Sequence, residues 1–209
     1  MDIKPVRRER RGRRRLATEN PEVQRRLLAA AGEIIASDGW PALRIEDLVR
    51  RAGLSVGTFY LYFDNKADLF VQLVIQHTER LQARLREAYD AEGTAQDRLD
   101  RALDAYLDFV TDTGPGFLHF RNAGNIETTI GPLSTWAFEQ HASDLRPILE
   151  TAMSEGAIRR DDPDLLAQAM LALNQHIAAL WLEHPDRYSR RQIKQFLSDF
   201  VAFGLNGNR

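Results

Sequence analysis

The sequence predicts an all-α fold. Apolar residues recur at intervals of three and four along most of the chain, and no run alternates apolar and polar residues as a half-buried strand would. The periodic stretches are separated by Gly, Pro, Asp and Asn. With 209 residues, 44% hydrophobic and 28% charged, the chain can build one substantial core or two smaller ones and is too apolar for wholesale disorder.

The first helix begins at Pro21 with Asn20 as its cap, sets Leu27, Leu28, Ala31, Ile34 and Ile35 on one face, and stops at Gly39. A short second helix lies in "RIEDLVRRAG", where Gly53 stands at the position that wants a left-handed cap. Ser55, three residues before Thr58, caps a third short helix that ends near Asp64-Asn65. Lys66 opens a long fourth helix that runs toward Gly93. After it, "TAQDRLDRALDAYLDFVTD" is stopped by Gly114-Pro115-Gly116, "FLHFRNAGNIETTIGP" is less regular, and "LSTWAFEQHASDLRPILETAMSEG" should kink or divide at Pro147. Two strongly periodic helices, Asp164 to Glu183 and Arg190 to Phe203, close the chain. The expected organisation is a basic arm over residues 1–20, a three-helix unit over 21–66 and a helical body over 67–209.

Composition removes several functional classes. Without cysteine there is no disulfide, no thiolate nucleophile and no Cys-ligated zinc, which suits a reducing cytoplasm. The charged start lacks the apolar run of an export signal, and Gln168, Asn174, Gln175 and His176 make the stretch Leu166 to Leu182 polar for a membrane span. There is no HExxH, P-loop, GxSxG or dinucleotide fingerprint, and the five histidines show no paired ligand spacing. No enzyme activity, metal or cofactor is expected.

The formal net charge of -2 conceals a basic end: residues 1–26 carry +6 and the remainder -8. A basic patch on an acidic protein suggests an anionic partner, nucleic acid ahead of membrane; a merely solvated tail is the alternative. The arginines of "RRERRGRRR" lack the interleaved aromatic residues that would anchor them in a membrane interface.

Two short helices joined by "AGLS" satisfy the needs of a helix-turn-helix. At about 100° per residue, Phe59 and Phe63 point one way with Val56 near them. Gly57, Thr58 and Leu61 point the other way, flanked by Tyr60 and Tyr62. A glycine and an outward leucine in an exposed helix gain nothing from water, whereas a closely approaching DNA groove explains both. Thr58 and Leu61 would meet base edges or a thymine methyl, and the Tyr60 and Tyr62 hydroxyls and Lys66 would meet phosphates. The alternative for the tyrosines is that their hydroxyls snorkel from the edge of the core.

These residues, "RIEDLVRRAGLSVG" followed by "TFYLYFDNKADLF", resemble the DNA-binding region of the TetR family of bacterial transcriptional regulators, over about Pro21 to Leu69. The resemblance implies an N-terminal three-helix DNA-binding domain and a C-terminal helical ligand-binding and dimerisation domain. It places Ser55, Val56, Gly57, Thr58, Tyr60, Leu61, Tyr62 and Lys66 at DNA-contact positions. It also implies a phosphate contact at the start of the second helix, where Leu43-Arg44 replaces the family's frequent threonine, so that Arg44 would act by charge. Arg13, Arg14 and Arg15 of the arm would add contacts to phosphates or the minor groove.

By the same resemblance the body houses an effector pocket, and Tyr106, Phe109, Phe117, His119, Phe120, Arg121, Trp136 and His141 are the candidates for its lining, for an apolar molecule with one acceptor or anionic group. Taken singly, each is as well explained as ordinary core. The last two helices would pair with a second subunit through Leu166, Met170, Leu173, Ile177, Trp181, Phe196 and Phe200; packing only on their own body is the alternative. The expected protein is a homodimeric repressor, released from a palindromic double-stranded DNA operator by a small-molecule effector. A helical ligand-binding or adaptor protein without specific DNA recognition is the second reading.

Overall fold

The computed structural model describes residues 20–114 and 131–205. Eight α-helices occur among them: α1 (Pro21–Asp38), α2 (Ile45–Arg51), α3 (Val56–Tyr62), α4 (Lys66–Tyr89), α5 (Ala95–Thr113), α6 (Gly131–Ser154), α7 (Pro163–Glu183) and α8 (Arg190–Leu205). A single 3-10 turn, Trp40–Ala42, follows α1. The described residues contain no strand, as the periodicity predicts. They divide into two compact units, the first holding residues 20–77 and 131–136 and the second residues 78–114 and 137–205.

In the first unit, α1, α2, α3 and the opening turns of α4 enclose one apolar core. Leu27, Ile35, Leu48, Phe59 and Phe70 are wholly buried and Phe63 nearly so. Trp40 packs against Phe70 with ring centroids 4.5 Å apart, and Phe59 against Phe63 at 5.5 Å. The core also takes Leu69, Phe70 and Leu73 from α4, so it extends beyond residue 66, the edge expected from the sequence.

Local chemistry sets the turn between α2 and α3. Gly53 adopts φ +64°, its N–H donates to the Arg50 carbonyl at 3.1 Å, and the Leu54 N–H donates to the Val49 carbonyl at 2.8 Å. These are the two bonds of a Schellman cap, which needs a residue that enters the left-handed region without strain. Arg26 of α1 closes the same end, donating to the Ala52 carbonyl at 2.5 Å. Ser55 then starts α3 by accepting the Thr58 N–H at 3.1 Å. The helix ends at Tyr62, slightly before the expected Asp64-Asn65, because Phe63 turns to extended backbone while its ring stays in the core. Asn20 does occupy the position before α1, but its side chain makes no capping bond.

In the second unit, α5 opens with a capping box in which the Asp97 N–H donates to Thr94 Oγ1 at 3.2 Å and the Thr94 N–H donates to Asp97 Oδ2 at 2.9 Å. Asp162 caps α7 by accepting the Asp164 and Leu165 N–H groups at 2.9 and 3.0 Å. On the outer side of α5 and α8, Arg190 meets Asp108 at 2.6 Å and Lys194 meets Asp104 at 2.5 Å. Pro147 does not divide its segment: α6 runs through it without a break. The proline is exposed, so the carbonyl one turn earlier that loses its donor can turn to water.

The α7 helix is long and apolar enough to cross a membrane by length and composition alone. In this unit its Leu166, Ala167, Ala178 and Ala179 are buried against neighbouring helices, which accounts for part of that apolarity.

Candidate nucleic-acid interface and body cavity

α3 divides its side chains between two tasks. Phe59 is wholly buried and fixes the helix to the core of the first unit. On the other side Tyr60 is 46% exposed, Leu61 49% and Val56 40%, and Gly57 lies open beside them. Val56 thus faces solvent, although its phase had placed it nearer the phenylalanines. A Cβ built on Gly57 meets only Ser55 Oγ, at 3.7 Å, so the fold itself has room for a side chain there.

The polar groups around α3 are held in place. Ser55 Oγ and Thr58 Oγ1 share a hydrogen bond of 2.9 Å, which orients both hydroxyls at the N-terminus of the helix. Tyr62 packs partly into the core, and its hydroxyl donates to the Asn20 carbonyl at 3.3 Å, tying the end of α3 to the start of α1. Lys66 donates to the Trp40 carbonyl at 2.9 Å, with its ammonium 4.2 Å from the centre of the Trp40 ring. A phosphate contact by Lys66 therefore has to share an ammonium already engaged by the fold. Arg44 is exposed at the position preceding α2. Arg13, Arg14 and Arg15 lie outside the described residues.

A short helix with an open glycine, exposed apolar and aromatic side chains and a rigid seat is the element that a helix-turn-helix inserts into a major groove. Residues 27–73, which span the core and turn just described, match the family model for bacterial regulatory proteins, tetR family. These residues form a tetR-family DNA-binding domain. The chain is a DNA-binding transcriptional regulator, and its relatives bear the same description. The HTH-type transcriptional activator FasR of Mycolicibacterium smegmatis is 25% identical over 207 residues, covering 95% of this chain and 93% of that protein. The HTH-type transcriptional repressor KstR of the same organism is 34% identical over 79 residues, 38% of this chain and 39% of that one. Among solved structures, the regulator FadR from Bacillus subtilis in complex with stearoyl-CoA superposes with a TM-score of 0.76 at 19% identity, over 87% of this chain and 98% of that one.

The second unit of this regulator contains a cavity of about 70 Å³. Its walls come from α4, α5, α6, α7 and α8, with Leu81, Leu99, Leu145 and Leu197 among the apolar residues. Tyr106 and His141, two of the residues named for an effector pocket, line this cavity, and Tyr89 joins them. Phe109 does not: it is wholly buried, with the Arg84 guanidinium 5.3 Å from its ring centre. Trp136 is half-buried, groups with the first unit and does not line the cavity. Phe117, His119, Phe120 and Arg121 lie outside the described residues.

Burial lowers the pKa of His141 to about 4, with the nearby Asp144 carboxylate opposing the shift, so the imidazole is neutral at physiological pH. Burial first and Asp144 second push the Tyr89 phenol up. Asp144 is itself anchored to α4, accepting from Gln82 Nε2 at 2.7 Å. Polar wall residues that aromatic clustering could not reveal are Gln96, Asp100, Asn174, Gln175 and Ser198. Asn174 and Gln175 did leave a signal, as amides in the middle of an apolar helix.

On the outer surfaces of α7 and α8, Phe196 is 50% exposed and Phe200 52%, with their rings 6.4 Å apart. Leu173, Ile177 and Trp181 are half-buried. Leu166 is buried in the packed interior and Met170 lies on the cavity wall, although both share the angular stripe of α7 that carries Leu173 and Ile177. Leu165, which the apolar stripe did not include, is exposed on that helix.

Proposed function

We propose that this regulator is a homodimeric repressor that reads a palindromic operator through α3 and is released by a small molecule bound in the cavity of its body. The observation that carries the reading is the exposed face of α3, where Gly57, Tyr60 and Leu61 stand beside the Ser55 and Thr58 hydroxyls while Phe59 holds the helix from behind. In a major groove Gly57 admits close approach, Thr58 and Leu61 face base edges, and Tyr60, Tyr62, Lys66 and Arg44 face phosphates. Arg13, Arg14 and Arg15 extend the phosphate contacts along the duplex.

One seven-residue helix reads few base pairs, so a second copy is needed. Two copies related by a two-fold axis read half-sites about 34 Å apart or a multiple of that spacing. The exposed Phe196 and Phe200 supply the apolar surface for that pairing. An effector acts by binding the state with mismatched recognition helices more tightly, and operator affinity falls by the ratio of its affinities for the two states. That FadR was solved with stearoyl-CoA supports ligand control within this fold.

The test is fluorescence anisotropy on DNA flanking the regulator's own gene across a salt series, beside a Tyr60→Ala/Leu61→Ala variant. Saturable binding to one palindromic site, resistant to competitor DNA and lost in the variant, is the expected result. Equal binding to any duplex, vanishing with salt, overturns the specific-reader function and leaves the adaptor. A reporter under that operator should rise when the regulator is deleted; a fall reverses the sign to activation.

A further inference from the structure

The charges around the cavity are one-sided. Among its described wall residues the ionisable side chains are Asp100, His141, Tyr89 and Tyr106, and none is Lys or Arg. The Asp100 carboxylate accepts a hydrogen bond from Gln96 Nε2 at 3.3 Å and forms no salt bridge among the described residues. This contrasts with Asp104, one turn away on α5, whose carboxylate is met by Lys194 at 2.5 Å and Arg190 at 3.3 Å. His141 brings no positive charge, since burial keeps it neutral. A carboxylate or phosphate entering this space would lose hydration and meet a like charge, whereas a cation would complete the missing pair. The tyrosine rings on the wall favour the same sign, because the face of an aromatic ring attracts cations.

We propose that the cavity binds a small organic cation, an alkylammonium or quaternary ammonium group held between the Asp100 carboxylate and the rings of Tyr89 and Tyr106. The volume of about 70 Å³ sets the size of the buried part. A water needs roughly 10–15 Å³ on this scale, so there is space for on the order of five non-hydrogen atoms. A four-carbon ammonium ion fills that space, with Leu99, Leu145 and Leu197 around its alkyl groups. Asp100 is then the specificity-determining residue, and the anionic group that aromatic clustering left open for the effector is excluded.

The regulatory consequence rests on the cavity being the effector site; the binding itself does not. Amide chemical shifts of the full chain are followed during titration with tetramethylammonium, tert-butanol and propionate, each of five non-hydrogen atoms, at constant ionic strength. The cation should bind about tenfold more tightly than the alcohol, and propionate should not saturate. Asp100→Asn, with its thermal midpoint checked, should abolish the preference for the cation, and Tyr106→Phe, which keeps the ring, should preserve it. Equal affinity for all three probes, a preference that survives Asp100→Asn, or no saturation by the cation overturns the proposal. Operator affinity measured in the same series separates the two readings. A cation that binds through Asp100 without changing operator affinity sustains the site and removes the effector role. A carboxylate that binds there and releases the operator sustains the effector role and removes cation selectivity.

Discussion

Within α3, neighbouring residues answer to different constraints. Phe59 and Tyr60 are consecutive, yet one is wholly buried and the other 46% exposed. Gly57→Ala should therefore leave the fold intact or strengthen it by up to about 1 kcal/mol, since alanine is the better helix former and its Cβ meets nothing closer than 3.7 Å. Operator affinity should fall roughly tenfold as the added methyl meets the groove; thermal melting and anisotropy on one preparation separate the two effects. Ser55→Ala removes the cap of α3 and should lower stability by about 1 kcal/mol, read by urea denaturation. His141 makes stability depend on pH. Its folded pKa of about 4 lies below its ordinary value of 6.5, so its contribution is complete above about pH 6.5 and is lost as the pH falls toward 4. A shift of this size corresponds to a loss on the order of 3 kcal/mol. The difference between wild type and His141→Gln in urea melts across that range isolates it from the carboxylates.

At the level of elements, legibility followed the range of the interactions. The turn between α2 and α3 was readable because each of its parts acts over a few residues: Gly53 supplies φ +64°, and Ser55 caps Thr58. Phe59 and Phe63 likewise declared their direction by phase alone. Arg26 was not readable in this role. It was counted only among the charges of residues 1–26, and only the fold brings its guanidinium to the Ala52 carbonyl. The cavity was harder still, since five helices wall it and residues as distant in sequence as Leu81 and Leu197 share it. Clustered aromatics supplied only Tyr106 and His141 of its wall, and Phe109 proved to be packing. Gly53→Ala tests the turn as a unit. A left-handed residue with a Cβ costs roughly 1–2 kcal/mol, and here that Cβ also falls 2.9 Å from Arg26 Nη2. Lower thermal stability with operator affinity lost in step is the expected outcome.

For the whole molecule, charge and apolar surface are distributed unevenly. The first 26 residues carry +6 and the rest -8, which suits a chain that meets a polyanion with one end. Removing residues 1–15 should flatten the dependence of log affinity on log salt by about 0.9 for each phosphate released, while the same palindromic site remains preferred. The exposed pair Phe196 and Phe200 bears on assembly. Phe196→Glu/Phe200→Glu should yield monomers by sedimentation velocity, with the helical signal retained and operator affinity lost. A dimer that persists in this variant would place the subunit contact elsewhere.

The placement of side chains around α3 also has an evolutionary consequence. Val56 and Leu61 are exposed and can be substituted without emptying the core of the first unit, whereas Tyr60, though half exposed, meets the buried Phe59 ring edge-on at 5.2 Å. Phe59, Phe63 and Gly53 allow no such drift. If α3 reads DNA through the proposed face, new DNA preferences can arise at Val56 and Leu61 by a few single-codon steps after gene duplication, on a scaffold that stays the same.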